Sequence, residues 1–476
     1  LLFATFDYFL FLPVVAVVHW MLPAQPGTGT ARTSWILLVS LIFYAAWNPA
    51  DTALLLAVVA MAWVFGLLLR GLSERGRSAL IALAALCLLG PMVFFKYTHW
   101  AMESLAHFVP VVVPERHHLP IGISFYSFQA LAYVIDVRRT LGARARGEVP
   151  KHPLEVETNP VRFATFLLFF PHLVAGPILR AGTLLTQLRA ERKLDPEDVS
   201  YAVTRLGTGL VKKVLIADVL RIGIIDSVFA DPTRFGALEV LIALYAYSLQ
   251  IYCDFSGYTD FAIGSARLFG FKIPENFNRP YRALSVADYW RRWHITLSDW
   301  VRDYVYYPLG GSRVRPYLNT FITLVILAVW HGANWTFVLY GLLHGAAVSI
   351  NRYWKRSGWS PASLTVPQAA WRWALTFHFV VLARILFRSP DIGVAGQIAG
   401  QLLHGNWAFP RYSLHAWAVL VLGYLLHASP PAWMVRLRAS FAALPAPVQG
   451  VVLTVAAWLC VQYGPGDTLA FIYHDF

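Results

Sequence analysis

Apolar positions in this chain neither alternate with polar ones at the period of a strand nor form single stripes on otherwise polar helices. They come in continuous runs. A helix needs about 20 predominantly apolar residues to cross the hydrocarbon core of a bilayer. Runs of that kind lie near residues 3–23, 34–48, 53–69, 78–97, 119–135, 202–230, 237–270, 318–333, 335–351, 371–388, 412–428 and 446–464. They predict an all-α polytopic membrane protein with about eleven or twelve transmembrane helices. The 34–48 and 318–333 runs are short, and 237–270 is long enough to be bent or split. The first run, from Phe9 to Leu22, has no basic segment before it and no small-residue cleavage site. It reads as a spanning helix rather than a cleavable leader.

The polar interruptions set orientation. The loop 70–77 holds Arg70, Arg75 and Arg77, and 138–151 holds Arg138, Arg139, Arg144, Arg146 and Lys151. Basic loops stay on the cytoplasmic side, which puts the N-terminus on the outer face when three crossings are counted back. Segment 161–179 separates the second of these loops from another basic stretch at 180–193, and it contains Pro171, Gly176 and Pro177. A re-entrant segment, entering and leaving on one side, reconciles the broken helix with the charge rule. The largest interruption, 272–317, mixes arginines with Trp and Tyr. That combination suits a membrane interface and predicts a cytoplasmic element, amphipathic or partly re-entrant. No second soluble domain is expected: 1–476 reads as one membrane domain, with N-terminal helices at 1–135, a core at 136–351 and C-terminal helices at 352–476.

Composition agrees with the pattern. The chain is 57% hydrophobic and 14% charged, against about 25% charged for a soluble protein. Its mean hydropathy is +0.53. The net charge of +13 falls in loops between apolar runs rather than in one stripe, so it reflects topology and no nucleic-acid partner is expected. Cys87, Cys253 and Cys460 are far apart in apolar surroundings and form no CxxC pair, so no metal site is expected. Serine-hydrolase elbows, phosphate-binding loops and HExxH motifs are also missing from the sequence.

Candidate chemistry centres on His331, in Val329-Trp330-His331-Gly332-Ala333-Asn334-Trp335, within the most apolar part of the chain. A titratable side chain at membrane depth is costly and usually has a partner or a task. An imidazole kept neutral by burial can act as a general base; the alternative is a packing histidine bonded to a carbonyl. Trp330 and Trp335 can wall a narrow slot, and Asn334 can hydrogen-bond a neighbour. His294, in Trp290-Arg291-Arg292-Trp293-His294, is either an interfacial histidine or a second catalytic or positioning group brought back toward His331. Asp254, Ser256 and Asp260, in Tyr252-Cys253-Asp254-Phe255-Ser256-Gly257-Tyr258-Thr259-Asp260, put carboxylates in an apolar run. They read as proton-relay or ion sites, or as caps of a helix break at Ser256-Gly257.

Several ordered motifs then fall together. They are Phe6-Asp7-Tyr8-Phe9-Leu10-Phe11-Leu12-Pro13, Phe94-Phe95-Lys96-Tyr97, Leu119-Pro120-Ile121-Gly122-Ile123-Ser124-Phe125 and Phe169-Phe170-Pro171-His172-Leu173-Val174-Ala175-Gly176-Pro177. Asp254-Phe255-Ser256-Gly257-Tyr258, Phe277-Asn278-Arg279-Pro280-Tyr281, Trp290-Arg291-Arg292-Trp293-His294 and Trp330-His331-Gly332 complete the set. As an ordered series over nearly the whole chain they resemble the membrane-bound O-acyltransferase (MBOAT) family. The likeness is greatest to its bacterial AlgI-like alginate O-acetyltransferase branch, with D-alanyl transferases of the DltB kind more distant. One departure is visible: Ala383-Arg384-Ile385-Leu386-Phe387-Arg388 stands where Gly-Trp-hydrophobic-Phe-Phe-Arg is usual.

The resemblance implies an MBOAT-like fold in which helices and re-entrant segments enclose a tunnel. It implies that His331 is the catalytic histidine and His294 the second family histidine. The reaction it implies moves an acetyl or other acyl group from a cytoplasmic thioester, acetyl-CoA or an acyl carrier phosphopantetheine, to a hydroxyl. Arg291, Arg292 and Trp293 are then candidates for donor binding, with Trp330, Asn334, Trp335, Asp254 and Ser256 as further lining groups. Asn334 or His294 would serve the oxyanion. Implied partners are the lipid bilayer, a periplasmic acetyltransferase and an exported polysaccharide, and the implied location is the bacterial inner membrane. A transporter or polysaccharide-export subunit with proton-coupled His331 and Asp254 is the competing class, and a lipid or protein acyltransferase is the rival inside the family.

Overall fold

A computed structural model describes residues 3–23, 30–150, 152–358 and 363–464. Every regular element among these residues is a helix. Helices coincide with each of the twelve apolar runs, because such runs can satisfy backbone polar groups only within one helix. Lys151, counted above among the basic loop residues, lies outside the described residues. Pro49–Gly71, Glu74–Ala106, Ala237–Leu268 and Val366–Arg388 are long and apolar enough to cross a membrane. Leu414–Ala428 with Pro431–Ala442 also qualifies as a pair, bent by 96°. Phe6–Met21, Ala31–Ala45, Pro316–His331 and Pro447–Tyr463 are shorter apolar helices. The chain is therefore a multi-pass membrane protein. Its apolar surface points the same way: in Glu74–Ala106 only 17% of the most apolar window is buried by protein, so the rest needs lipid.

By their contacts the residues divide into two units, Leu1–Val203 with Phe261–Pro274, and Thr204–Asp260 with Glu275–Phe476. In the first, Ile123–Ala145 is buried continuously from Ile123 to Val134 and packs on Pro49–Leu68 and Glu74–Ala106. Protein rather than lipid surrounds that stretch, and Asp136, buried just beyond it, is met by Arg139 at 3.5 Å and Arg180 at 3.7 Å. Segment 161–179 is broken, as its prolines predict. Pro160–Leu168, capped by the Asn159 side chain, stops at Phe169, and one further turn, Phe170–Leu173, gives way to non-helical backbone. Its 9 residues reach only about 13 Å, well short of the roughly 30 Å hydrocarbon core.

The second unit corrects one expectation and refines another. Ala237–Leu268 runs through Ser256-Gly257 without a break. One glycine costs a helix interior only about 1 kcal/mol, too little to end a helix of 32 residues. The run is neither split nor capped there, and its carboxylates do other work. In the 272–317 stretch the aromatic residues divide, with Tyr307 exposed. Tyr281, Tyr289, Trp290, Trp293 and Trp300 are all buried, held in short helices at Pro280–Arg282, Val286–Trp290 and Ile295–Val301. Packing inside the unit outweighs the interfacial preference of these rings.

One polar anchor in the first unit is testable. The Glu157 carboxylate, 1% exposed, accepts from Arg189 at 2.7 Å, from Arg162 at 3.2 Å and from the Asn159 N–H at 2.9 Å. Burial pushes this carboxyl up, but the Asn159 bond and the two arginines outweigh it, so it titrates below the usual carboxylate range. Glu157→Gln is expected to cost about 1–3 kcal/mol at neutral pH by leaving two guanidiniums under-satisfied. Because the folded pKa is depressed, that advantage of the wild type is full above the ordinary carboxylate pKa and fades as pH falls through the folded value. Thermal unfolding of both proteins in detergent across this range measures it; a difference that ignores pH would refute the assignment.

Candidate active site

His331 is the last residue of the helix Pro316–His331, and Asn334 caps the next, Trp335–Arg356. The link is only Gly332, Ala333 and Asn334. The Asn334 Oδ1 accepts from the Thr336 N–H at 3.0 Å, and its Nδ2 donates to the Pro390 carbonyl. Glycine at 332 is needed for close approach: an added Cβ would lie 2.3 Å from the Phe337 ring. The two helices pack tightly because Gly341 sits against Val325, where a Cβ would come within 2.6 Å of backbone. This hairpin fixes His331 at its tip.

The His331 ring is buried, and its Nδ1 lies 2.9 Å from the Leu327 carbonyl. A carbonyl only accepts, so Nδ1 carries the proton and Nε2 is the basic nitrogen of the neutral ring. Aromatic rings surround it: Trp330 at 5.1 Å, Phe387 at 5.3 Å and Phe337 at 6.4 Å between centroids.

His294 comes to the same place from a different element. It adopts a left-handed backbone (φ 44°) at the start of Ile295–Val301. Its ring meets Trp330 edge-on at 5.9 Å and Phe255 at 4.7 Å. The indole of Trp330 thus touches both histidines. The clamp that holds His294 is Asn276, fully buried, which sequence reasoning missed. Its Oδ1 accepts from His294 Nδ1 at 3.2 Å, from the Thr296 hydroxyl at 2.9 Å and from the Thr296 N–H at 3.2 Å. Its carbonyl accepts from the Ile295 N–H at 2.9 Å. The proton of His294 is therefore also on Nδ1. Burial, and then the neighbouring His331, push its pKa well below the ordinary histidine value, so the ring is neutral at pH 7. The only sequence signal for Asn276 was its place one residue before Phe277-Asn278-Arg279-Pro280-Tyr281.

Other expected site residues are placed as follows. Trp293 is buried, stacked on Tyr289 at 5.7 Å. Arg291 and Arg292 both reach Asp288, at 3.4 and 3.0 Å. Two guanidiniums on one carboxylate leave net positive charge, and the Arg291 side chain is 63% exposed. Trp335 is half-exposed, unlike Trp330. Asp254 is 2.7 Å from Lys213, which also pairs with Asp218 at 2.8 Å, while Asp260 pairs with Lys212 at 2.7 Å and Arg205 at 2.8 Å. Lys212, Lys213 and Asp218 lie on a π-helical stretch, Val211–Asp218. Ser256 is buried on the same helix as the aspartates.

The departure at Arg384 gains a physical setting. This arginine is fully buried, 4.7 Å over Trp293 and 5.2 Å from the Phe387 ring, and donates to the Tyr289 hydroxyl at 2.8 Å. Aromatic faces and a hydroxyl stabilise it; among the described residues no carboxylate pairs with it. It stacks on the two rings, Trp293 and Phe387, that lead to the two histidines.

The arrangement is an imidazole whose Nδ1 proton is held by a carbonyl, a second oriented imidazole, and a surround of aromatic rings. It can take a proton from a hydroxyl and hold a small acyl group close by. Comparison with known proteins agrees. The model of the membrane-bound O-acyltransferase family matches residues 80–385. The chain is 37% identical over 416 residues to the probable alginate O-acetylase AlgI of Azotobacter vinelandii, covering 84% of this chain and 77% of that protein. It is 33% identical over 409 residues to the peptidoglycan O-acetyltransferase of Helicobacter pylori, covering 81% and 76%. It is 28% identical over 296 residues to the teichoic acid D-alanyltransferase of Bacillus subtilis, covering 58% and 71%. With His331 and His294 gathered around Trp330 in the matched region, the chain belongs to the membrane-bound O-acyltransferase family and is an O-acyltransferase.

Proposed function

We propose that the protein moves an acetyl group from a cytoplasmic thioester to a hydroxyl acceptor, for O-acetylation of an exported or cell-surface polysaccharide such as alginate. The observation that carries this is the meeting of His331 and His294 at Trp330. The donor, acetyl-CoA or an acetylated carrier phosphopantetheine, approaches the net positive face of Arg291 and Arg292, which suits its phosphates. His331 Nε2 takes the proton of the acceptor hydroxyl. The oxygen attacks the thioester carbonyl, the carbon–sulfur bond breaks, and the imidazolium returns the proton to the departing thiolate. Crowding of the His331 ring by Trp330, Phe337 and Phe387 favours a short acyl group over a fatty one. His294 orients or polarises rather than carrying charge, consistent with its depressed pKa. The setting is the bacterial inner membrane with the N-terminus outside, and a periplasmic acetyltransferase completes transfer to the glycan. The relatives support a glycan acceptor, since two of them are named for alginate and peptidoglycan.

His331→Ala is expected to lower acetyl transfer in vesicles by about 10²–10⁴-fold, the span typical of a lost general base. Thioester cleavage and transfer are followed together with labelled acetyl donor; undiminished turnover would remove His331 from the chemistry. Mass spectrometry of the surface glycan from cells with and without the protein should show loss of O-acetyl groups, and an unchanged glycan would exclude that acceptor.

Asn276→Ala frees His294 Nδ1 and two donors of Thr296. We expect a fall in melting temperature equivalent to about 1–3 kcal/mol and a loss of kcat exceeding any change in KM for the donor. Asn276→Asp, which keeps the acceptor, should restore more of kcat than Asn276→Ala; equal loss in both would show that the clamp does not serve through His294.

A further inference from the structure

An open cavity that neither His331 nor His294 lines lies within the second unit. It holds about 830 Å³, inside the range of about 300–1,000 Å³ that ligand sites occupy. Its walls are apolar side chains of three helices, including Phe377, Leu420 and Tyr424. The one charged lining residue, Arg282, and the one imidazole, His427, share one end. His427 and Leu420 are two turns apart on one helix, which gives the cavity a length of roughly 10 Å along that helix. At the His427 end stands Arg282, in the turn Pro280–Arg282. Its guanidinium has no carboxylate partner among the described residues, and no Asp or Glu lines the cavity.

His427 adds an independent pointer. Its Nε2 accepts from the Tyr281 N–H at 3.3 Å, so the ring proton is on Nδ1. That Nδ1 is buried without a hydrogen-bond partner, in a ring that is 7% exposed. A buried donor of this kind costs free energy until an acceptor arrives. Arg279, three residues before Arg282, also has a buried Nη1 with no partner.

We propose that this cavity is a binding site for an anionic membrane phospholipid. One acyl chain lies along Phe377, Leu420 and Tyr424, and the phosphate meets Arg282 and the Nδ1–H of His427. Three facts select this occupant over others. The helices that form the walls, Ala237–Leu268, Val366–Arg388 and Leu414–Ala428, are among those apolar enough for the bilayer, so the surrounding solvent is lipid. Arg282 and His427 share one end and no other lining residue is charged, as a head and a tail require. The cation without an acid favours a net-negative head over a zwitterionic one, whose ammonium finds no partner here. The site is separate from the acyl-transfer chemistry and does not depend on it.

Native mass spectrometry of the delipidated full chain, titrated with phosphatidylglycerol or with phosphatidylcholine of the same chain length, tests it. The wild type should hold phosphatidylglycerol about tenfold tighter, the worth of one charge-assisted hydrogen bond. Arg282→Gln should bring the two lipids to parity. Ala370→Trp, which fills the cavity from an exposed lining position, should weaken both. Equal binding of the two lipids by the wild type overturns the proposal, as does phosphatidylglycerol retention unchanged in either variant.

Discussion

The bond from His331 Nδ1 to the Leu327 carbonyl is the contact on which the site depends. It is local, one helical turn long, and it decides which nitrogen is basic. Everything around it preserves that choice. The helix must end at 331, so that the ring projects from a tip. The link must be short, so that the next helix closes the pocket with Phe337. Gly332 and Gly341 supply the room for both. A buried histidine is expensive wherever lipid is the solvent, and here part of that expense is offset by the Leu327 carbonyl.

The helices were legible from apolar runs, since in a bilayer the backbone leaves a long apolar run little alternative. His331 was legible for the converse reason, being the polar residue such a run should not contain. Asn276 was not. Its importance comes from a turn that returns residue 294 to residue 276, and nothing in the local pattern around an asparagine announces a partner 18 positions away. The fate of Asp254 was hidden likewise. A carboxylate in an apolar run reads as a proton site until Lys213, on a helix that precedes it, is seen to meet it. Which aromatic residues of 272–317 are buried was not legible either, because interfacial and buried Trp and Tyr have the same composition; only packing tells them apart.

The buried ions of the second unit follow a simple balance. Arg205, Lys212 and Lys213 face Asp218, Asp254 and Asp260, with the half-exposed Glu275 also on Arg205 at 2.9 Å. Each cation has an acid and each buried acid a cation, which is the condition under which such charges persist in low dielectric. Arg384 is the exception, stabilised by ring faces instead. Its position on Trp293 and Phe387 shows how an unusual residue is accommodated when the walls are aromatic.

The clamp at Asn276 also has a consequence for how sequences of this kind can change. Asn276 bonds Ile295 through its carbonyl and His294 through its side chain, while the Asn278 N–H donates to the Arg292 carbonyl at 2.9 Å. The 17 positions between Asn276 and His294 therefore form a loop whose ends are tied twice. Insertions or deletions inside it must be absorbed at its outer edge, near the exposed Leu284 and Arg291, or they carry the second histidine out of register. Spacing, more than identity, is what this stretch of chain must conserve.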